Sequence, residues 1–432
     1  MVGSLPINGD YSLLRNQLLL KRGIWVYLLL LIFEGALRKW VLPFLATPLL
    51  IVRDPVALWL LLAAWKFGFF RWNGYSAAMI VLSLIGIVTA VLIGHGNLYV
   101  ALYGARLYIL HFPVMFVIGT ILNYEDVVQI GRTILKIAIP MAILIALQFY
   151  SPQSAWVNRG IGGNMEGGGF SGALGYFRPP GTFSFTNGNT LFFSLVAPFV
   201  FYFWLNAKEI NRLILILATI ALLAAIPLSI SRTLFFSVTI TALFSVFTAV
   251  TRPQNAGKLM LAFVLVLAVF FMLSQISAID TALNVFTHRF EGANKAEGGL
   301  EGVVGDRYFG AMIYAISGSY NIPFFGFGLG AGTSVGAMLV LGTAGLQFGE
   351  DEWTRITGEM GFLIGILVIL TRLLFTLNLL TDSFRRMKSG RLLPWMLVSF
   401  CVLNIPQGQW AQPTSLGFSV LAGGLVLAAL KK

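Results

Sequence analysis

The sequence Glu350-Asp351-Glu352-Trp353-Thr354-Arg355-Ile356-Thr357-Gly358-Glu359-Met360-Gly361 returns the chain to apolar surroundings after a long polar interruption. From Ile276 to Gly361 no apolar run reaches membrane length, whereas almost everything else alternates such runs with short basic connectors. The interruption holds His288, Arg289, Glu291, Glu297, Glu301, Asp306 and Arg307, then a glycine ladder from Gly326 to Gly336. Charge gathered in one loop of an otherwise apolar chain marks where chemistry is expected.

Composition sets the class. Of 432 residues, 57% are hydrophobic and 11% charged, against about 25% charged in a soluble domain. An integral membrane protein is expected. The dyad alternation of a β-barrel is absent, and Met1 to Leu20 lacks the apolar core and small-residue cleavage site of a signal peptide. The net charge of +12 is dispersed among connectors. The positive-inside rule accounts for that spread without a nucleic-acid partner. The single cysteine, Cys401, lies in an apolar run and reads as packing. No zinc, EF-hand or Cys-x-x-Cys spacing occurs, so no metal or cofactor is expected.

Apolar runs of about 17–25 residues fall near 24–42, 49–66, 75–93, 99–121, 127–149, 187–205, 210–228, 232–250, 258–276, 355–380, 391–405 and 414–430. The expected fold is an all-α polytopic membrane protein of twelve transmembrane helices, one transmembrane domain over residues 1–432, with no internal repeat. Lys66, Arg71, Lys208, Arg212, Arg252, Lys258, Arg385, Arg386, Lys388 and Arg391 share a face with Arg15, Lys21, Arg22, Lys431 and Lys432. The connectors 94–98 and 404–413 carry no Lys or Arg. Both termini are therefore expected in the cytoplasm, and the loops 150–186 and 277–354, the latter between helices nine and ten, in the periplasm or exterior.

Charges inside apolar runs need partners. Glu34 and Arg38 are four apart and can pair; Lys39 and Trp40 follow at the interface. In Arg53-Asp54-Pro55, Pro55 suits a first helical turn and Asp54 a cap. Arg106 has no acid within a turn. It requires a partner from another helix, a water-filled cavity or an anionic ligand. His95 and His111 read as satisfied or interfacial histidines.

On the expected outer face, Gly160 to Gly175 leads into Arg178-Pro179-Pro180-Gly181-Thr182-Phe183-Ser184-Phe185-Thr186-Asn187-Gly188-Asn189. Thr186 or Asn187 can cap the next helix, and helix N-termini bind anions. Ser231-Arg232 forms the next outer turn. Arg178, Arg232, Arg307 and Arg355 thus gather outside, against the positive-inside trend, as candidate phosphate-binding residues; lipid headgroups are the other reading. If a helix begins near Glu352, then Glu352, Arg355 and Glu359 share one stripe. A carboxylate there can serve as a general base toward a hydroxyl, or simply complement the dipole of the first turn.

Arg178-x-x-Gly181-Thr182-Phe183, Ser231-Arg232, Gly326-x-Gly328-x-Gly330 and Glu359-x-Gly361, in this order and on one face, resemble the O-antigen ligase and O-antigen polymerase superfamily. The resemblance covers roughly 178–365 and implies a GT-C-like, metal-independent, inverting glycosyltransferase of the bacterial inner membrane. It would move a glycan from undecaprenyl pyrophosphate to an acceptor glycan hydroxyl on the periplasmic side. It implies that Arg178 and Arg232 hold the pyrophosphate, with Arg307 assisting. Where ligases carry a His-Asn pair before Glu-x-Gly, this chain has Glu350 and Asp351. The base is then Glu350 or Glu352, and a polymerase fits better than a lipid A-core ligase. The alternative from another class is a transporter or flippase of a lipid-linked oligosaccharide or other anionic substrate.

Overall fold

The computed structural model describes residues 7–251, 275–297, 322–342 and 351–431, with the single positions Gly257 and Ile313. The predicted helix near 258–276 lies, but for its last two residues, outside them, as do Arg307 and Glu350. Helices stand at the other eleven predicted positions. In chain order they are α1 (Ile7–Ala36), α2 (Arg53–Lys66), α3 (Gly74–Leu92), α4 (Leu98–Arg106), α5 (Phe112–Ile121), α6 (Tyr124–Tyr150), α7 (Thr186–Leu205), α8 (Arg212–Leu228) and α9 (Arg232–Thr251). After them come α10 (Ser277–Glu297), α11 (Ser334–Leu341), α12 (Glu352–Lys388), α13 (Leu393–Gln407) and α14 (Pro413–Ala429). Among the described residues a single hairpin, β1 (Phe170–Ala173) and β2 (Tyr176–Arg178), interrupts this order.

Among the described residues six helical stretches are long and apolar enough to cross a membrane, and seven if the pair Pro43–Leu49 and Arg53–Lys66, bent by 42°, is one broken span. This is a membrane-embedded, mostly helical protein. The predicted helix over 99–121 is α4 and α5 joined by a π-turn, Leu107–His111. The predicted long loop 277–354 contains helices of its own, α10 and α11. α10 is amphipathic with too few apolar residues to look like a span, and α11 is apolar but only eight residues long.

The core centres on α7 and α14, which are buried nearly throughout. Small residues let α14 approach α5: a Cβ at Gly423 would lie 2.4 Å from Met115 Sδ, and one at Gly424 2.6 Å from Ile118 Cβ. Such close approach is how helices gain packing energy where no water is expelled.

Two irregular segments thread between helices. The first is 179–184, wholly buried. Its backbone lies on α1, where a Cβ at Gly35 would fall 2.2 Å from the Ser184 nitrogen. Gly181 O accepts from Lys39 Nζ at 2.6 Å, Gly181 N donates to Gln148 Oε1 at 2.7 Å, and Thr182 Oγ1 donates to Ile32 O at 2.6 Å. The second is the glycine ladder. It docks where α12 breaks at Gly361 (φ 74°, ψ 172°). Phe327 N and Gly328 N donate to the Gly358 and Glu359 carbonyls at 2.8 and 3.0 Å, and Gly332 N donates to Glu359 Oε1 at 2.9 Å. On its other side the His95 ring bridges: Nε2 donates to Leu329 O at 3.1 Å and Nδ1 accepts from Asn97 N at 3.0 Å. Both bonds are satisfied by one neutral tautomer, so His95 is a structural clasp.

Gly326, Gly328, Gly330 and Gly336 of the ladder leave no room for a Cβ, unlike Gly342 beyond it. At Gly330, φ is +91° and a Cβ would lie 2.2 Å from Val100 O; at Gly342, φ is +69° with nothing within 4 Å. Gly342→Ala therefore reports backbone strain alone, about 1–3 kcal/mol, while Gly330→Ala adds a clash with α4. Thermal unfolding in detergent is expected to fall distinctly further for Gly330→Ala. Equal losses would mean that the ladder is not wedged there.

Candidate functional site: an arginine cluster on the hairpin

The hairpin presents the first residue of the site. Leu174 (φ 51°) and Gly175 (φ 81°) make its tight turn, the conformation that matches strand twist. Phe170 pairs with Arg178, with a bulge between Ser171 and Ala173. Tyr176 stacks on Phe149 at 4.7 Å and anchors the hairpin to α6. Pro179 and Pro180, both buried, then fix the exit from Arg178 into the threaded segment.

Gly172, at the bulge, is the meeting point. A Cβ there would lie 2.5 Å from Ile230 Cδ1 and 3.6 Å from Arg178 Cγ. Its carbonyl accepts from Arg289 Nη1 at 3.2 Å. Ile230 (φ 48°) belongs to the turn before α9. There Ser231 Oγ accepts from the Leu234 amide at 3.3 Å and from Thr190 Oγ1 at 3.0 Å, capping the helix that Arg232 opens. Arg289 comes from α10, held along α9 by Phe286 and Phe290 against Phe235, each pair 6.2 Å apart.

Arg178, Arg232 and Arg289 thus converge, each half-buried. Burial, followed by the charges of Arg289 and Arg232, holds the Arg178 pKa below its usual value. Arg178 Nε is buried with no hydrogen-bond partner among the described residues. Like charges brought together beside a helix N-terminus make a field that favours an anion. The sequence singled out Arg178 and Arg232 as candidates. The third member, Arg289, was visible only as one of several loop arginines; the cue was its place beside Phe286 and Phe290, four apart on one helical face.

Glu352 and Arg355 belong to a different group. Arg355 donates to Glu352 through Nε at 2.9 Å and Nη2 at 2.8 Å, and pairs with Glu359 at 2.8 Å. Arg372 Nη1 donates to Glu352 Oε1 at 2.7 Å, while its Nε and Nη2 bind the Ile405 and Gly408 carbonyls at 2.7 and 2.8 Å. Its guanidinium lies 3.8 Å from the Trp410 ring centroid. Two carboxylates and two guanidiniums balance in a fully buried network. A carboxylate gripped on both oxygens is a poor proton acceptor. Arg372, mid-run in a predicted span, was the unrecognised signal.

A third group joins α1, α2 and the π-turn. Glu34 pairs with Arg38 at 3.2 Å and with Arg53 at 3.6 Å. Asp54 does not cap α2: the N-cap is Val52, without a side-chain bond. Its carboxylate instead supplies the partner that Arg106 requires, at 2.7 and 2.9 Å, and accepts from His111 Nε2 at 2.9 Å. His111 Nδ1 accepts from Tyr27 OH at 3.2 Å. Nor do Thr186 or Asn187 cap α7: Phe185 is the N-cap, without a side-chain bond, and Asn187 Nδ2 binds Gln412 and Ser415, both at 3.0 Å.

Among the described residues no group of three His, Cys, Asp or Glu side chains is set to hold a metal ion. No family model, curated protein or solved structure matches the chain.

The closed Glu352 network yields a stability test. Glu352→Gln leaves Arg355 and Arg372 with one carboxylate between them. Removing one partner of a buried pair costs about 3–5 kcal/mol, which thermal unfolding in detergent will register. Adding Arg372→Met removes the surplus charge and is expected to recover part of the loss. A neutral Glu352→Gln variant would show that the network is not a structural one.

Proposed function

We propose that this protein is a glycosyltransferase that joins an undecaprenyl-pyrophosphate-linked glycan to an acceptor glycan hydroxyl, as an O-antigen or exopolysaccharide polymerase or ligase. The observation that carries the reading is the meeting of Arg178, Arg232 and Arg289 around Gly172. A diphosphate leaving group needs its developing charge neutralised, and fixed guanidiniums at a helix N-terminus supply that. A polyprenyl tail belongs in lipid, and α9 beside the cluster offers an apolar surface with Phe235 and Leu243 exposed. Within this reading the twelve-helix plan has both termini in the cytoplasm, and the site faces the periplasm of a bacterial inner membrane. Arg178 and Arg232 grip the diphosphate, Arg289 assists, and Glu350 is the preferred base, since Glu352 is held by two arginines.

A second reading rests on a different observation. The bent pair Pro43–Leu49 and Arg53–Lys66 sets Asp54 at a helix break beside Arg106 and His111. Discontinuous helices with charge at the break are the plan of many transporters, so movement of an anionic, lipid-linked substrate is the alternative.

Purified protein incubated with a panel of undecaprenyl-pyrophosphate glycans is expected to extend or transfer the glycan. Arg178→Ala and Arg232→Ala are each expected to reduce the rate by about a hundredfold or more with unchanged membrane insertion, and Arg178→Lys to recover part of it. Full transfer by both alanine variants would end the enzymatic reading. Substrate translocation in proteoliposomes, lost with Asp54→Asn and kept with Arg178→Ala, would favour the alternative.

A further inference from the structure

Away from the arginine cluster, a cavity of about 410 Å³ opens between α6 and the α7–α8 turn, lined by Arg132, Lys136, Lys208, Glu209, Ile210 and Ile214. It lies on the part of the bundle where Lys21 pairs with Asp126 at 2.6 Å and Lys431 Nζ binds the Leu122 carbonyl at 2.6 Å. Arg132 and Lys136 are four apart on α6 and so share a face, an unfavourable spacing for like charges. Lys208 brings a third cation from the turn.

The one acid among them, Glu209, leaves the three cations in excess. Glu209 Oε2 accepts from Tyr202 OH at 2.8 Å, and its main-chain carbonyl accepts from Arg132 Nε at 2.5 Å. These bonds fix the Arg132 guanidinium at the cavity wall, while Lys136 and Lys208 stay exposed. The other wall is apolar. Ile210 and Ile214 lead onto α8, where Leu213 (63%) and Leu217 (38%) are exposed. Ile214 and Leu217, three apart, continue one stripe along a helix of membrane character.

A cationic cup that runs directly into an exposed apolar stripe matches an amphiphile, with a negative head and a hydrocarbon tail. We propose that this cavity is a headgroup site for an anionic phospholipid, its phosphate held by Arg132, Lys136 and Lys208 and an acyl chain lying along Ile214 and Leu217. Basic pockets between membrane helices take lipid phosphates on electrostatic grounds, and a soluble anion would have no use for the apolar wall. The site is independent of the glycosyltransferase reading.

The test uses the full chain in neutral detergent, with thermal unfolding and native mass spectrometry as readouts. Phosphatidylglycerol is expected to raise the melting temperature and to be retained as a bound adduct. Phosphatidylcholine of the same acyl chains is expected to do neither. The exposed pair Lys136→Ala/Lys208→Ala is expected to weaken phosphatidylglycerol binding roughly tenfold or more, and Lys136→Arg/Lys208→Arg to preserve it. Unchanged binding by the alanine pair would overturn the site. An equal shift from inorganic phosphate alone would overturn the lipid assignment.

Discussion

Backbone that is neither helix nor sheet can sit among membrane helices only if the protein itself supplies its hydrogen-bond partners. Two such segments organise this molecule: residues 179–184 beside α1 and the glycine ladder at the Gly361 break. Each is bound by polar side chains that would be costly if unpaired. Lys39 and Gln148 hold Gly181, Arg38 donates to Ser184 Oγ at 2.8 Å, and Glu359 holds Gly332. Much of the buried polarity of the chain is explained by this requirement. The position of Arg178, three residues before Gly181, depends on it directly.

The buried charges fall into separate groups. Around Glu352 two acids and two arginines balance, and their hydrogen bonds run to one another, to the main chain and to the Tyr108 hydroxyl. Around Asp54 the acid is shared by Arg106 and His111, and the Glu34 carboxylate by Arg38 and Arg53. At Gly172 the charges acting on Arg178 among the described residues are those of Arg289 and Arg232.

The apolar runs alone located helices at eleven of twelve places, because membrane-length hydrophobicity is a strong and local signal. Arginines 178 and 232 stood out for a related reason: a guanidinium next to a Pro-Gly turn or a helix start has few structural excuses. What stayed hidden was pairing across the chain. Asp54 looked like a cap because its neighbours in sequence offer one, whereas its partners, Arg106 and His111, arrive from another helix. Arg289 and Arg372 each answer to residues far away in the sequence. The glycine ladder was legible as close approach, but not what it approaches.

Arg372 is made by the ribosome before the carbonyls of Ile405 and Gly408 exist, while Glu352, its carboxylate partner, precedes it. Within α12 alone the arginine therefore has only part of its set of partners. The arrival of α13 and the turn bearing Trp410 completes the set of partners. Docking α13 and its Trp410 turn against α12 is thus what completes the surroundings of that buried cation.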